Sequence, residues 1–100
     1  MNYKELDTPA LIVDRDRMMN NLHFMQDYAN RQGVALRPHT KTHKTPAIAK
    51  LQEQLGAKGI TVAKVGEAEV MAQNGLKDIF IANEIVGKQK LERIRALSRS

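Results

Sequence analysis

Gly33-Val34-Ala35-Leu36-Arg37-Pro38-His39-Thr40-Lys41-Thr42-His43-Lys44-Thr45-Pro46 runs from an apolar segment, through a cluster of cations, into a helix start. Val34 to His39 reads as a strand. With a side-chain period of two, Ala35, Arg37, His39 and Lys41 share one face, and Val34 and Leu36 share the other. Pro38 conflicts with a central strand position and so belongs at the strand's end, where the ladder finishes. Thr45-Pro46 is an N-cap followed by proline in the first turn. It opens a helix to Leu55, with Ile48, Leu51 and Leu55 inward and Gly56 as its stop. A strand that hands a polar loop to a helix is one βα unit.

The same grammar recurs on both sides. Upstream, Ala10 to Val13 is a short apolar run of strand type. It leads into an amphipathic helix from about Asp16 to Asn30, with Met18, Leu22, Met25 and Ala29 on one core-facing stripe. Asp14 or Asp16 can cap this helix, and Gly33 is placed to end it. Downstream, Gly59 to Ala63 is a strand, Glu67 to Gln73 a short helix closed by Asn74-Gly75, and Asp78 to Ala82 a strand. Gly87 then begins a helix with Leu91, Ile94 and Leu97 on its stripe. Strand and helix alternating at steps of roughly 20–25 residues is the pattern of βα units on a parallel sheet. The unbroken apolar run Ile79-Phe80-Ile81 predicts a sheet covered on both faces. The fold class is α/β.

Each strand passes from apolar into polar: Leu36 into Arg37, His39 and Lys41, Ala63 into Lys64, and Ala82 into Asn83 and Glu84. The carboxyl ends of parallel strands form one rim, where sites are built. Lys41, Lys64 and Glu84 are therefore expected on one rim. Cations aligned at the end of one strand repel each other unless an anion or a covalent adduct sits among them. Crowding by an arginine and imidazoles also favours the free amine that Schiff-base chemistry needs. Lys41 is the candidate carbonyl-binding lysine. Arg37 on the same face either holds an acidic group and tunes Lys41, or sits in an ion pair. His39 and His43 stand four apart, a metal-pair spacing on a helix, but an extended segment containing Pro38 removes that meaning. Lys44 and His43 read as support or surface, and His23 as surface.

Composition narrows the classes. The 100 residues make at most one small domain. Closing an eight-stranded barrel takes about 250 residues, so the chain is expected to be the N-terminal portion of something larger or to pair with a completing element. There is no cysteine, which excludes disulfides, a thiolate nucleophile and Cys-based zinc or iron–sulfur sites. No segment approaches the ~20 apolar residues of a membrane helix, and no signal-peptide core is present. A cytoplasmic location with no membrane partner is expected. The net charge of +5 is spread over both halves, and two Tyr, two Phe and no Trp offer few stacking platforms. Nucleic acid is not an expected partner.

Three blocks occur in order: Asp7-Thr8-Pro9-Ala10-Leu11, Leu36-Arg37-Pro38-His39-Thr40-Lys41-Thr42-His43-Lys44, and Ala82-Asn83-Glu84-Ile85-Val86-Gly87. Together they resemble the start of the D-threonine aldolase and D-serine dehydratase group, whose first domain is related to that of alanine racemase. The resemblance covers essentially the whole chain, and Asn83 to Gly87 tilts it toward the aldolases. It implies a pyridoxal 5′-phosphate enzyme on a TIM-like (β/α)8 barrel, of which residues 1–100 are the first part. The rest of the barrel and a C-terminal β domain would lie beyond them, and the complete protein would be a homodimer.

The resemblance further implies that Lys41, not Lys44, is the Schiff-base lysine; Arg37 and His39, on the same face, are expected to bind the cofactor with it. The substrate would be a small D-3-hydroxy amino acid, cleaved to glycine and an aldehyde. A dehydratase of the same group, releasing a keto acid and ammonia, is the alternative, as is a non-catalytic pyridoxal phosphate carrier. A divalent metal is implied too, with ligands outside this chain.

Overall fold

The computed structural model describes residues 2–100. After a short 3-10 turn at Tyr3–Glu5, helix α1 spans Arg15–Arg31. A second 3-10 turn at Thr40–Thr42 precedes α2 (Pro46–Gln54), followed by β1 (Ile60–Val62), α3 (Val65–Gln73), β2 (Ile79–Ile81) and α4 (Lys88–Ser98). Strands β1 and β2 pair in parallel, with Ile60 opposite Ile79 and Val62 opposite Ile81. The α/β alternation read from the sequence is present.

Helix α1 begins where the acidic cap predicts. The Asp14 carboxylate accepts the Arg17 N–H at 3.1 Å, and Gly33, at φ +66°, follows the last turn. Its inner surface differs from the expected stripe: Ala29 and Gln26 are buried, while Met25 stays exposed. Pro46 opens α2 as expected from its fixed φ. The Thr45 side chain does not cap that helix; its hydroxyl turns back and donates to the His43 carbonyl.

The core gathers between the sheet and the helices. Ala49, Ile60, Val62, Ala68, Met71 and Leu76 form one buried cluster, with Ile79, Ile81 and Leu97 packed against it. Strand β1 is buried on both faces, whereas β2 is not. Phe80 is 55% exposed on the opposite face of β2, so the double coverage expected from Ile79-Phe80-Ile81 does not hold among these residues.

Two expected strands need correction. Ala10 to Val13 forms no ladder among the described residues, and Leu11, Ile12 and Val13 are all exposed. A strand is a paired object, and this run has no ladder partner among the described residues. Val34 to His39 is extended and lies beside β1, but only His39 makes a bridge, to Thr61. Pro38 is the physical reason, because it has no N–H to give the ladder. The Lys58 and Thr61 N–H groups donate to the Leu36 and Pro38 carbonyls, both at 2.8 Å, and side chains add to the join. The Thr40 hydroxyl donates to the Thr61 carbonyl at 3.0 Å, and the Thr61 hydroxyl donates to the Arg37 carbonyl at 3.2 Å.

Gly59 is the one glycine whose missing side chain the strand entry demands. A Cβ there would lie 2.4 Å from the Asp78 carbonyl oxygen and 2.7 Å from an Arg37 guanidinium nitrogen.

Candidate active site

Pairing register sets one row: His39 beside Thr61, and Thr61 beside Phe80. Lys41, Ala63 and Ala82 each lie two residues further along, so all three segments leave the sheet at the same, carboxyl, end. There the Asn83 amide donates to the Ala63 carbonyl at 3.4 Å. Lys64 is the exposed N-cap of α3, and Glu84 is exposed in the segment after β2. The expected rim is therefore formed by the chain positions of Lys41, Lys64 and Glu84.

The turn carrying Lys41 is tightly built. Thr40 is 0% exposed, and its hydroxyl bond to β1 anchors the turn from below. His39 Nδ1 accepts the Lys41 N–H at 3.3 Å. The Lys44 N–H donates to the Thr40 carbonyl at 2.7 Å, and Lys44 itself adopts φ +51°. That left-handed conformation costs a residue with a Cβ about 1 kcal/mol, so the surrounding bonds must hold it. His43 Nδ1 accepts the Thr45 N–H at 2.9 Å. Its Nδ1 then carries no proton, and the Nε2–H donates to Gln52 Oε1 on α2 at 3.2 Å. Against this framed backbone the Lys41 side chain is exposed, with no hydrogen bond or ion pair among the described residues.

Arg37 lies elsewhere. Its guanidinium donates to Asp78 Oδ1 at 2.7 Å, to the Asp78 carbonyl at 3.3 Å and to the Ile60 carbonyl at 3.4 Å. These acceptors stand at the amino ends of β1 and β2, the opposite end of the sheet from Lys41. The hydrogen bond to Asp78 raises the Arg37 pKa. The same bond, followed by smaller attractions to Arg37 and Lys58 and opposed by desolvation, holds the Asp78 carboxyl below its ordinary value. Of the two roles open to Arg37 in the sequence, the geometry is that of the ion pair, and crowding of Lys41 by Arg37 is absent.

His39 and His43 do not face each other as a metal pair, since each ring nitrogen just described serves a backbone or amide partner. No group of three His, Cys, Asp or Glu side chains able to hold a metal ion exists among the described residues. His23 is exposed, as expected. Two concavities lie on the helix side of the sheet. One, of about 590 Å³, sits between α3, β2 and α4, and the other, of about 310 Å³, between α1, the Leu36–His39 segment and α2. Neither is lined by Lys41, and the smaller one is lined by Arg37 and His39.

Sequence reasoning missed Thr40 and Asp78. Thr40 had a usable signal: alternation puts it on the face opposite His39 and Lys41, toward the neighbouring strand. Asp78 had none, because its partner lies 41 positions away.

Residues 13–98 match the family described as alanine racemase, N-terminal domain. The chain is 48% identical over 94 residues to a D-threonine aldolase from an Arthrobacter species, covering 94% of this chain and 25% of that protein. Among solved structures it matches D-threonine aldolase from Filomicrobium marinum with a TM-score of 0.94 at 48% identity, covering 97% of this chain and 26% of that one. D-threo-3-hydroxyaspartate dehydratase from Delftia sp. HT23 matches with a TM-score of 0.87 at 42% identity, covering 95% and 25%. The chain thus spans about a quarter of the length of these relatives.

Proposed function

Because the chain belongs to the alanine racemase N-terminal-domain family, we propose that it supplies the anchoring-lysine end of a pyridoxal 5′-phosphate-dependent lyase of D-threonine aldolase type. The reaction is cleavage of a D-3-hydroxy amino acid into glycine and an aldehyde. The observation that carries the reading is Lys41: an unpaired primary amine, on a turn held by side-chain and backbone bonds, at the carboxyl end of parallel strands. Similarity to a D-threonine aldolase over nearly the whole chain supports the reaction class.

The residues present suit an aldehyde cofactor. Lys41 has no hydrogen bond or ion pair among the described residues, so its Nζ is sterically open to a carbonyl carbon. When bound, the cofactor supplies an aldehyde carbon for that amine and a ring that takes up electron density as a bond at the substrate α-carbon breaks. The chain's own contribution is orientation. Thr40 and His39 fix the backbone from which Lys41 projects, and Lys64 and Glu84 border the same rim. We place these βα units at the start of a TIM-like barrel. The divalent metal is assigned no ligand among the described residues.

Borohydride treatment of the protein with pyridoxal phosphate, followed by peptide mass mapping, tests the anchor. Label is expected on Lys41; Lys41→Ala should abolish it and Lys44→Ala should leave it. Label on Lys44, or label that survives in Lys41→Ala, refutes the assignment. Glycine and acetaldehyde formed from D-threonine are expected for the aldolase. The 42% identity to the Delftia dehydratase favours a second reading, in which the same lysine serves elimination and the products are a keto acid and ammonia. Colour without turnover of either substrate would instead identify a carrier.

A further inference from the structure

His39 and His43 close the same small ring four residues apart. In each, Nδ1 accepts the backbone N–H two residues on, Lys41 in one case and Thr45 in the other. This is the arrangement an Asx-turn makes with a side-chain oxygen. One imidazole opens the 3-10 turn that carries Lys41; the other, at the turn's C-cap, reaches across the left-handed Lys44 to the Thr45 N–H and ties the turn to α2 through Gln52. Both Nδ1 atoms are committed as acceptors, so neither ring can also offer that nitrogen to a metal or a reacting proton.

We infer that His39 and His43 are positioning residues that aim Lys41 by accepting backbone N–H groups through Nδ1. The consequence for Lys41 rests on the function proposed above; the capping itself does not.

Side-chain geometry provides the test. Asn Oδ1 lies the same number of bonds from the backbone as His Nδ1, whereas Gln moves its acceptor one bond outward. His39→Asn and His43→Asn should therefore keep slow amide exchange at Lys41 and Thr45 and bind pyridoxal phosphate with a Kd within about threefold of the parent protein. His39→Gln, His43→Gln and the two Ala variants should lose that protection and weaken binding about tenfold, the scale of one hydrogen bond. Circular dichroism checks that each variant folds.

Asn variants as impaired as the Ala variants would overturn the inference, because the ring itself would then be required. Should the variants fail to fold, ¹⁵N spectra of the parent protein at neutral pH decide: both histidines are expected in the Nε2–H form, and a proton on either Nδ1 overturns the proposal. Failure of the functional reading looks different. Cofactor capture surviving in Lys41→Ala would remove the lysine's role while leaving the exchange pattern as predicted.

Discussion

At Gly59 the chain admits no side chain. A Cβ would press on the Asp78 carbonyl oxygen, which is backbone, and on the Arg37 guanidinium that bonds to that same oxygen. Neither can yield without breaking the tie across the strand entries, so Gly59→Ala should destabilise the protein by about 2 kcal/mol, at the middle of the range for overpacking. Urea unfolding at constant m checks this; a midpoint unchanged from the parent would refute it. Residue-scale legibility was uneven for a related reason. Lys41 stood out because its neighbours in sequence are its neighbours in space. The backbone-capping use of His39 and His43 was hidden, since a period-two face pattern says where a ring points and nothing about which N–H it accepts. Which of the two roles Arg37 takes is not legible, because alternation predicts a face but not which end of the strand a long side chain will reach.

Between elements, two ion pairs do the joining. Arg37–Asp78 staples the amino ends of the Leu36–His39 segment, β1 and β2, while Glu69 on α3 pairs with Arg93 on α4. Each carboxylate is held below its ordinary value, chiefly by the hydrogen bond from its arginine. A carboxylate with a depressed folded-state pKa adds stability above its unfolded value and loses it as pH falls through the folded one. Both contributions are thus present at pH 7 and fade below about pH 4. Asp78→Asn should lower the unfolding midpoint at pH 7 and flatten its fall in acid. Thermal melts from pH 7 to pH 3 check this, and a variant with the parent's acid slope would refute it. Salt should shrink the difference, because both pairs are substantially solvent-exposed.

Helices at this scale were legible to within a residue or two, since a helix declares its caps and its apolar stripe locally. Strands were less so. Ile60–Val62 and Ile79–Ile81 were found because each has the other, whereas Ala10–Val13 has the same apolar composition and no partner among the described residues.

Taken together, the residues bury both faces of β1 but leave the Phe80 face of β2 and several loop residues open. Leu11, Ile12, Val13, Val34, Phe80 and Val86 are all exposed, more apolar surface than scattered solvent-facing residues usually present. The Cα radius of gyration is 15.7 Å, whereas a compact 100-residue domain is about 13 Å. Hydrophobic stabilisation scales with the area removed from water, and a core resting on two three-residue strands removes little of it. Residues 1–100 studied by themselves should therefore bind the dye ANS at neutral pH and unfold in a transition that is broader and lower in temperature than that of a well-packed domain of this size. Addition of pyridoxal phosphate should not sharpen that transition, because anchoring at Lys41 covers the rim and not the apolar face. A steep melt above about 60 °C with no dye binding, the behaviour of a well-packed small domain, would refute this, and the open face would then have to be covered in solution by something absent from these contacts.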